Sequence, residues 1–437
     1  MSQLALAGGV PVRTKPFPRW PQFDEREREA VIKVLESGNW GGYPFPNHFA
    51  KLLGERFAAC HDARFGVSVA NGTVALEAAL QALGVGPRDE VIIPAYTFEA
   101  SAVPVLRLQA IPVFVDVLED TYCIDPQAVE ESITPRTKAV IPVHLAMNMA
   151  DMDALTNLAK KYDLKILEDA AHAHGAKWRN RGAGSLGDAG AFSMQTTKLM
   201  TAGEGGVITT KDEEVFELCA SYVNCGRASA EDRFGHRILG YNHRITEFQA
   251  AILLVQLERL VEQTRLRQAN AKLLGHHLAQ IPGLSLLKKD DRVTDQAIYQ
   301  YVFKYDAEAF GELPRERFLA ALEAEGIPCD GTFYEPVYKS ALFPVRRNDS
   351  LALAALPGCD LPWQDLECPV SERAAYKESV WLHHSVLLGN DSDIEQIIEA
   401  IQKIHRNVDE IRHIDHKLIT IKSVNRAERD KLVYGIA

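Results

Sequence analysis

Gly66-Val-Ser-Val-Ala70, Glu90-Val-Ile-Ile-Pro94, Pro112-Val-Phe-Val-Asp116, Lys138-Ala-Val-Ile-Pro-Val143 and Leu164-Lys-Ile-Leu-Glu-Asp169 are short, nearly continuous apolar runs. Stretches of helical composition separate them, from Thr73 to Leu83, Phe98 to Leu108 and Asp151 to Tyr162. Strands buried on both faces lose the alternation of half-exposed strands, so the series predicts βαβ units in a mostly parallel sheet covered on both sides. Ligands of such α/β sheets bind beyond the carboxyl ends of the strands, so function is expected in the strand-to-helix turns.

Beyond Gly205-Gly-Val-Ile-Thr-Thr210 the alternation stops. A long helix is predicted from Thr246 to His276, with apolar positions at Ile252, Leu253, Val255, Leu257, Leu260 and Val261. Ala297 to Tyr305 reads as a strand, and Arg315 to Glu325 and Asp391 to His405 read as helices. The expected organisation is a large α/β domain with an N-terminal arm over 1–259, a smaller α+β domain over 260–408, and a polar extension over 409–437.

A chain of 437 residues is long enough for a large core, which excludes a small disulfide scaffold. With 48 Lys and Arg against 59 Asp and Glu, its net charge of −11 has the wrong sign for a nucleic-acid binder. No apolar run approaches the roughly 20 residues of a membrane span. The N-terminus has neither a basic nor an apolar segment of the secretory kind, so the expected location is the cytoplasm. Seven cysteines without CxxC spacing are expected to be reduced thiols, most of them buried.

Gly182-Ala-Gly-Ser-Leu-Gly187 matches G-x-G-x-x-G letter for letter. It follows a charged segment and precedes a strand-like run, the reverse of a dinucleotide fingerprint, and no nicotinamide site is expected. Three other segments carry more chemistry. Asn71-Gly72-Thr73 ends a strand and opens a helix, so the Gly72 and Thr73 amides and the Thr73 hydroxyl could cradle a phosphate; a plain helix cap fits equally well. Glu168-Asp169-Ala-Ala-His172-Ala-His174 places two carboxylates at a strand end, one of them directed into the site. Asp169 there could hold a protonated pyridine nitrogen or, with His172 and His174, a metal. Ser193-Met-Gln-Thr-Thr-Lys198 puts one lysine in a hydroxyl-rich loop, which suits a Schiff-base lysine with a phosphate-binding Ser193 beside it, or a surface lysine.

Taken in order with Gly38-Asn-Trp40, Pro94-Ala-Tyr-Thr-Phe98, Gly203-Glu-Gly-Gly206 and Gly240-Tyr-Asn242-His-Arg244, these motifs resemble the DegT/StrS family of sugar aminotransferases from about residue 4 to 405. The resemblance implies fold type I, with a seven-stranded, mostly parallel sheet and a smaller α+β domain, and it implies pyridoxal 5′-phosphate as cofactor with no metal. It implies that Lys198 forms the Schiff base and shuttles the proton, that Asp169 pairs with the ring nitrogen, and that His172 and Phe98 lie against the ring. Gly72, Thr73 and Ser193 would hold the phosphate. Asn242 would reach it from the neighbouring subunit of a homodimer, and Arg244 would face substrate. Trp381 and His383 lie where the family brings small-domain groups to the site.

The expected reaction carries an amino group from L-glutamate or L-glutamine to a keto group of a sugar or cyclitol. Alternatives are a 3-amino-5-hydroxybenzoate synthase-like enzyme, a sugar dehydratase, or a sensor without turnover. Val143-His-Leu-Ala-Met147-Asn-Met149 departs from the family's Val-His-Leu-Tyr-Gly and predicts a reshaped acceptor pocket. Tyr334-Glu-Pro-Val-Tyr338 and Met149-Ala-Asp-Met-Asp153 resemble the cyclitol and aminohydroxybenzoate members.

Overall fold

Among the described residues thirteen strands are formed: β1 (Phe65–Val69), β2 (Glu90–Pro94), β3 (Ile111–Val115), β4 (Thr137–Val140), β5 (Lys165–Asp169), β6 (Lys177–Trp178), β7 (Arg181–Gly182), β8 (Ala189–Ser193), β9 (Gly206–Thr210), β10 (Leu284–Leu286), β11 (Val293–Asp295), β12 (Gln300–Tyr305) and β13 (Ser379–His383). The computed structural model describes residues 3–42, 47–228, 235–343 and 362–414.

Seven of these strands make one sheet in the order β1-β9-β8-β5-β4-β2-β3. The pairs β2 with β3, β2 with β4, β4 with β5 and β5 with β8 are parallel. Only β9 runs against the rest, pairing antiparallel with both β8 and β1. The reason is local, because β8 returns through a loop with no crossover helix, and a strand that doubles straight back must lie antiparallel. That loop carries Lys198.

Successive residues of the central strands enter opposite apolar layers, which explains their unbroken apolar runs. Ile92, Val140 and Ile166 pack into one layer, and Val91, Ile93, Ala139 and Leu167 into the other. The second layer includes residues of the helices Gly72–Ala82 and Glu213–Val223. The first continues into the smaller α+β region, where β10, β12 and β13 form a three-stranded antiparallel sheet. Among the described residues no helix is long and apolar enough to cross a membrane.

The helix Glu247–Leu278 is set by a capping box between Thr246 and Gln249 and runs unbroken through position 259. It joins the two regions, since Asn270 Nδ2 donates to the carbonyls of Leu387 (2.8 Å) and Gly389 (2.9 Å). The smaller region extends past 408: Ile411 is fully buried and its carbonyl accepts from Arg317 Nη1 at 2.8 Å. The rest of the expected extension, 415–437, lies outside the described residues, as does Cys359. The other six cysteines are free, with Cys60 exposed and Cys225 half-buried.

Two expected elements are shorter. The helix read over Phe98 to Leu108 is a 3-10 turn at Glu99–Ser101 followed by Val103–Arg107, with Pro104 in its first turn. The break swings Ser101 towards β5. The strand read from Ala297 begins at Gln300.

Candidate active site

A cavity of about 1170 Å³ opens at the carboxyl ends of β1, β5 and β8. Gly72, Thr73, Phe98, Asp169, His172, Ser193 and Lys198 all line it, so seven of the nine residues singled out from sequence share one space.

The cap after β1 is Asn71, whose side chain accepts from the Val74 amide at 2.9 Å. Gly72 and Thr73 therefore fall in the first helical turn, where backbone N–H groups have no partner within the helix and sit at the positive end of its dipole. Thr73 is not the capping residue. A Cβ on Gly72 would lie 2.6 Å from Cβ and 3.2 Å from Oγ of Ser193, so the bare glycine lets β8 close against this turn.

At the end of β5 the two adjacent carboxylates part, as side chains on a strand must. Asp169 faces the cavity. Its Oδ2 accepts from the Ser101 hydroxyl (2.7 Å), and its Oδ1 accepts from the Ala171 amide (3.2 Å). Burial raises its carboxyl above the ordinary aspartate value, opposed by the Ser101 hydrogen bond and the charge of Lys198.

Glu168 points the other way and is fully buried. It accepts from the amides of Gly184 (2.8 Å), Leu186 (2.7 Å) and Gly187 (2.7 Å) and pairs with His144 Nε2 at 2.9 Å. The G-x-G-x-x-G segment is thus an amide cradle for a carboxylate of the chain itself.

His172 stacks on Tyr299, with ring centroids 4.0 Å apart. Its Nδ1 accepts from the Ala146 amide at 3.2 Å, which leaves the proton on Nε2 facing the Tyr334 hydroxyl at 3.2 Å. Burial, aided by the charge of Lys198, holds the imidazole well below its ordinary value and therefore neutral. The metal alternative does not assemble. His174 turns away to donate to the Ser193 carbonyl at 2.9 Å, and among the described residues no three His, Cys, Asp or Glu side chains form a metal cluster.

Lys198 is half-buried, its Nζ 4.4 Å from the Tyr299 ring centroid. Its loop is held from several sides. Trp20 Nε1 donates to the Thr196 carbonyl (2.8 Å), His384 Nε2 to the Thr197 carbonyl (3.1 Å), and Thr197 Oγ1 meets the Tyr299 hydroxyl at 2.9 Å.

Asn242 and Arg244 do not line their own chain's cavity. Both flank the end of β1, where Ala70 donates to the His243 carbonyl and Arg244 Nη1 donates to Asn224 Oδ1 at 2.8 Å. The expected effect of the 146–149 departure also falls elsewhere. Met147 and Met149 are buried in the core and line no part of the cavity. Trp381 and His383 do line it. The sequence reading did not single out Ser101, Tyr299, Gln300, Trp20 or His384 for the site; no local motif marks them, and Tyr334 was noted only for its resemblance.

The family model of DegT/DnrJ/EryC1/StrS aminotransferases matches residues 21–402. A protein of Streptoalloteichus tenebrarius provisionally named L-glutamine:3-amino-2,3-dideoxy-scyllo-inosose aminotransferase is 48% identical over 414 residues, covering 94% of this chain and 100% of the relative. An L-glutamine:2-deoxy-scyllo-inosose aminotransferase of Micromonospora echinospora is 38% identical over 427 residues, with the same coverage. The crystal structure of 3-amino-5-hydroxybenzoic acid synthase superposes with a TM-score of 0.79 at 36% identity, over 92% of this chain and 100% of that one. Matched along nearly its whole length, with the expected lysine, aspartate and glycine turn converging on one cavity, the chain belongs to the DegT/DnrJ/EryC1/StrS aminotransferase family.

Proposed function

We propose that this enzyme takes the amino group of L-glutamine and delivers it to the ketone of an inosose-type cyclitol, using pyridoxal 5′-phosphate in the cavity described above. The observation that carries the reading is the convergence of Lys198, Asp169 and the Gly72–Ser193 contact in one space, in a chain 48% identical to a relative bearing that kind of name.

The residues present fit a phosphorylated pyridine. Asp169 is a buried carboxylate, raised by its burial, that faces the cavity with no guanidinium or ammonium salt-bridged to it among the described residues; a protonated ring nitrogen would supply that cation. The open helix turn at Gly72 and Thr73, with the Ser193 hydroxyl against it, would hold the phosphate. Phe98 and His172 would lie beside the ring. When bound, the cofactor supplies the carbonyl that accepts the amino group and an electron-withdrawing ring that stabilises the carbanion at the reacting carbon.

The protein's share is orientation and proton movement. Ser101 fixes the Asp169 carboxylate, and neutral His172 keeps a second positive charge away from Lys198. The Lys198 amine takes the proton from the Cα of glutamine and, in the reverse sense, delivers one to the former ketone carbon of the acceptor. The Trp20, His384 and Tyr299 contacts hold the loop that carries that amine at the cavity wall. We further propose that the working unit is a homodimer in which Asn242 and Arg244 complete the neighbouring cavity, since both lie outside their own.

The test is the absorbance spectrum of the purified protein before and after L-glutamine, with L-glutamate in parallel. Loss of the yellow aldehyde-form band with growth of the amine-form band on glutamine is the expected result. An unresponsive chromophore would sink the transaminase reading and favour the aromatising chemistry of the 3-amino-5-hydroxybenzoate synthase relative. No chromophore after adding the cofactor would sink both.

A further inference from the structure

The cavity is larger than a cofactor needs, and its remaining walls are of two kinds. Tyr299, Phe333, Tyr334 and Trp381 supply flat aromatic faces. Phe333 stacks on Trp381 (4.7 Å between centroids, 11° between planes), and Phe98 lies 5.9 Å from Tyr334. The polar part is acidic, for Glu99, Glu204, Asp330 and Glu335 line it together with Asp169, against Lys198 as the one Lys or Arg among the lining residues. Glu99 and Glu335 each adjoin a member of the Phe98–Tyr334 pair, and neither side chain forms an ion pair or hydrogen bond among the described residues.

Gln300 is a second and independent sign of a ligand. It opens β12 opposite His383 of β13, is 2% exposed, lines the cavity, and its side chain has no hydrogen-bond partner among the described residues. With no partner among those residues, this amide has only the contents of the open cavity to hydrogen-bond to. A ligand hydroxyl can satisfy it by accepting from the NH₂ and donating to the carbonyl oxygen.

Resting on the function proposed above, we propose that this cavity selects an acceptor bearing an ammonium group, a polyhydroxylated cyclohexanone cation, with Gln300 holding ring hydroxyls and Glu99 and Glu335 attracting the ammonium. A ring whose substituents are all equatorial has two C–H faces and a polar rim. The aromatic walls suit the faces, and the amide and carboxylates suit the rim. The phosphate of a bound cofactor adds further negative charge, so a cationic acceptor is favoured on entry as well. The two kinds of named relatives differ at this point, one name specifying an amino-dideoxy inosose and the other a deoxy inosose without nitrogen.

The experiment loads the holoenzyme in its amino form with pyridoxamine 5′-phosphate. It then supplies either 3-amino-2,3-dideoxy-scyllo-inosose or 2-deoxy-scyllo-inosose, which differ by ammonium against hydroxyl at one carbon. The expected wild-type kcat/KM favours the ammonium ketone, and the preference shrinks as salt is added. One half-buried and one exposed charge contact of ordinary strength predict that E99Q/E335Q cuts that preference about tenfold, through KM. Gln300→Leu is expected to lower kcat/KM for both ketones, because both carry ring hydroxyls. A preference for the neutral ketone, or a preference unchanged in E99Q/E335Q, overturns the inference while the glutamine half-reaction still stands. A wild-type spectrum that does not respond to glutamine overturns the parent reading, and this inference with it.

Discussion

Two glycine turns in this molecule present backbone amides, one to a carboxylate of the chain itself and the other to the cavity. The Gly182–Gly187 segment has the more familiar pattern, yet its amides close on Glu168, a fully buried carboxylate. The Asn71–Thr73 turn has a shorter pattern, but its cap satisfies the Val74 amide and leaves the first helical turn facing the cavity. An amide cradle becomes a site only where the chain does not fill it. Two neighbouring carboxylates on β5 repeat the contrast, Glu168 being taken up by the chain's own amides and Asp169 facing the cavity.

Removing what the open turn serves should have the largest effect. Lys198→Ala is expected to lower turnover by on the order of 10³-fold or more, as loss of a proton-transferring group does. Activity within tenfold of wild type, with an unchanged circular dichroism spectrum, would remove Lys198 from the chemistry. The two carboxylates should then separate by readout. Asp169→Asn is expected to lower turnover about 10²-fold or more while the melting temperature holds or rises, because a buried carboxyl without a salt bridge is relieved.

Glu168→Gln should do the opposite. An amide there faces three N–H donors with one oxygen, leaving a buried donor unsatisfied and costing about 3 kcal/mol of stability, read as a fall in melting temperature. If both variants lose activity and neither loses stability, the division of labour proposed here is wrong.

Gly72→Ala sharpens the comparison between the turns. The added Cβ would lie 2.6 Å from Ser193 Cβ, so β8 must give way and cofactor affinity should fall about tenfold, about 1.4 kcal/mol. Unchanged affinity by fluorescence titration would argue against a phosphate at this turn.

A further effect, on the fold rather than the site, concerns acid. Burial lowers His61 to about 4 and His174 to about 3, so both are neutral in the fold and protonate more readily when unfolded. The unfolded state binds more protons below pH 6.5, and stability is therefore lost as pH falls from 6.5 towards 4, at up to about 1.4 kcal/mol per pH unit for each histidine. A melting temperature flat over that window would show that these rings are hydrated.

Much of the fold was legible because it is written locally. The apolar runs at 90–94, 112–116 and 164–169 became strands since their residues enter two buried layers, and Thr246 to His276 became a helix because Thr246 and Gln249 cap its start and no proline interrupts it. The line between Glu168 and Asp169 was not legible, since adjacent acids on a strand look alike until the loop that takes one of them is placed. Ser101 was hidden inside a segment read as plain helix. Tyr299 and Gln300 reach the cavity, and His384 the lysine loop, from more than 100 residues beyond Asp169, and no local spacing records such a meeting.

The clamp on the lysine loop also has a meaning in time. Lys198 is fixed by contacts from Trp20, near the start of the chain, and from His384, near its end. A chain emerging from the ribosome can complete the seven-stranded sheet once residue 210 is out, but the loop lacks its last support for another 174 residues. Premature termination before His384 would therefore leave the lysine loop without its contact at Thr197, so the clamp binds two distant stretches of the chain to residue 198's loop.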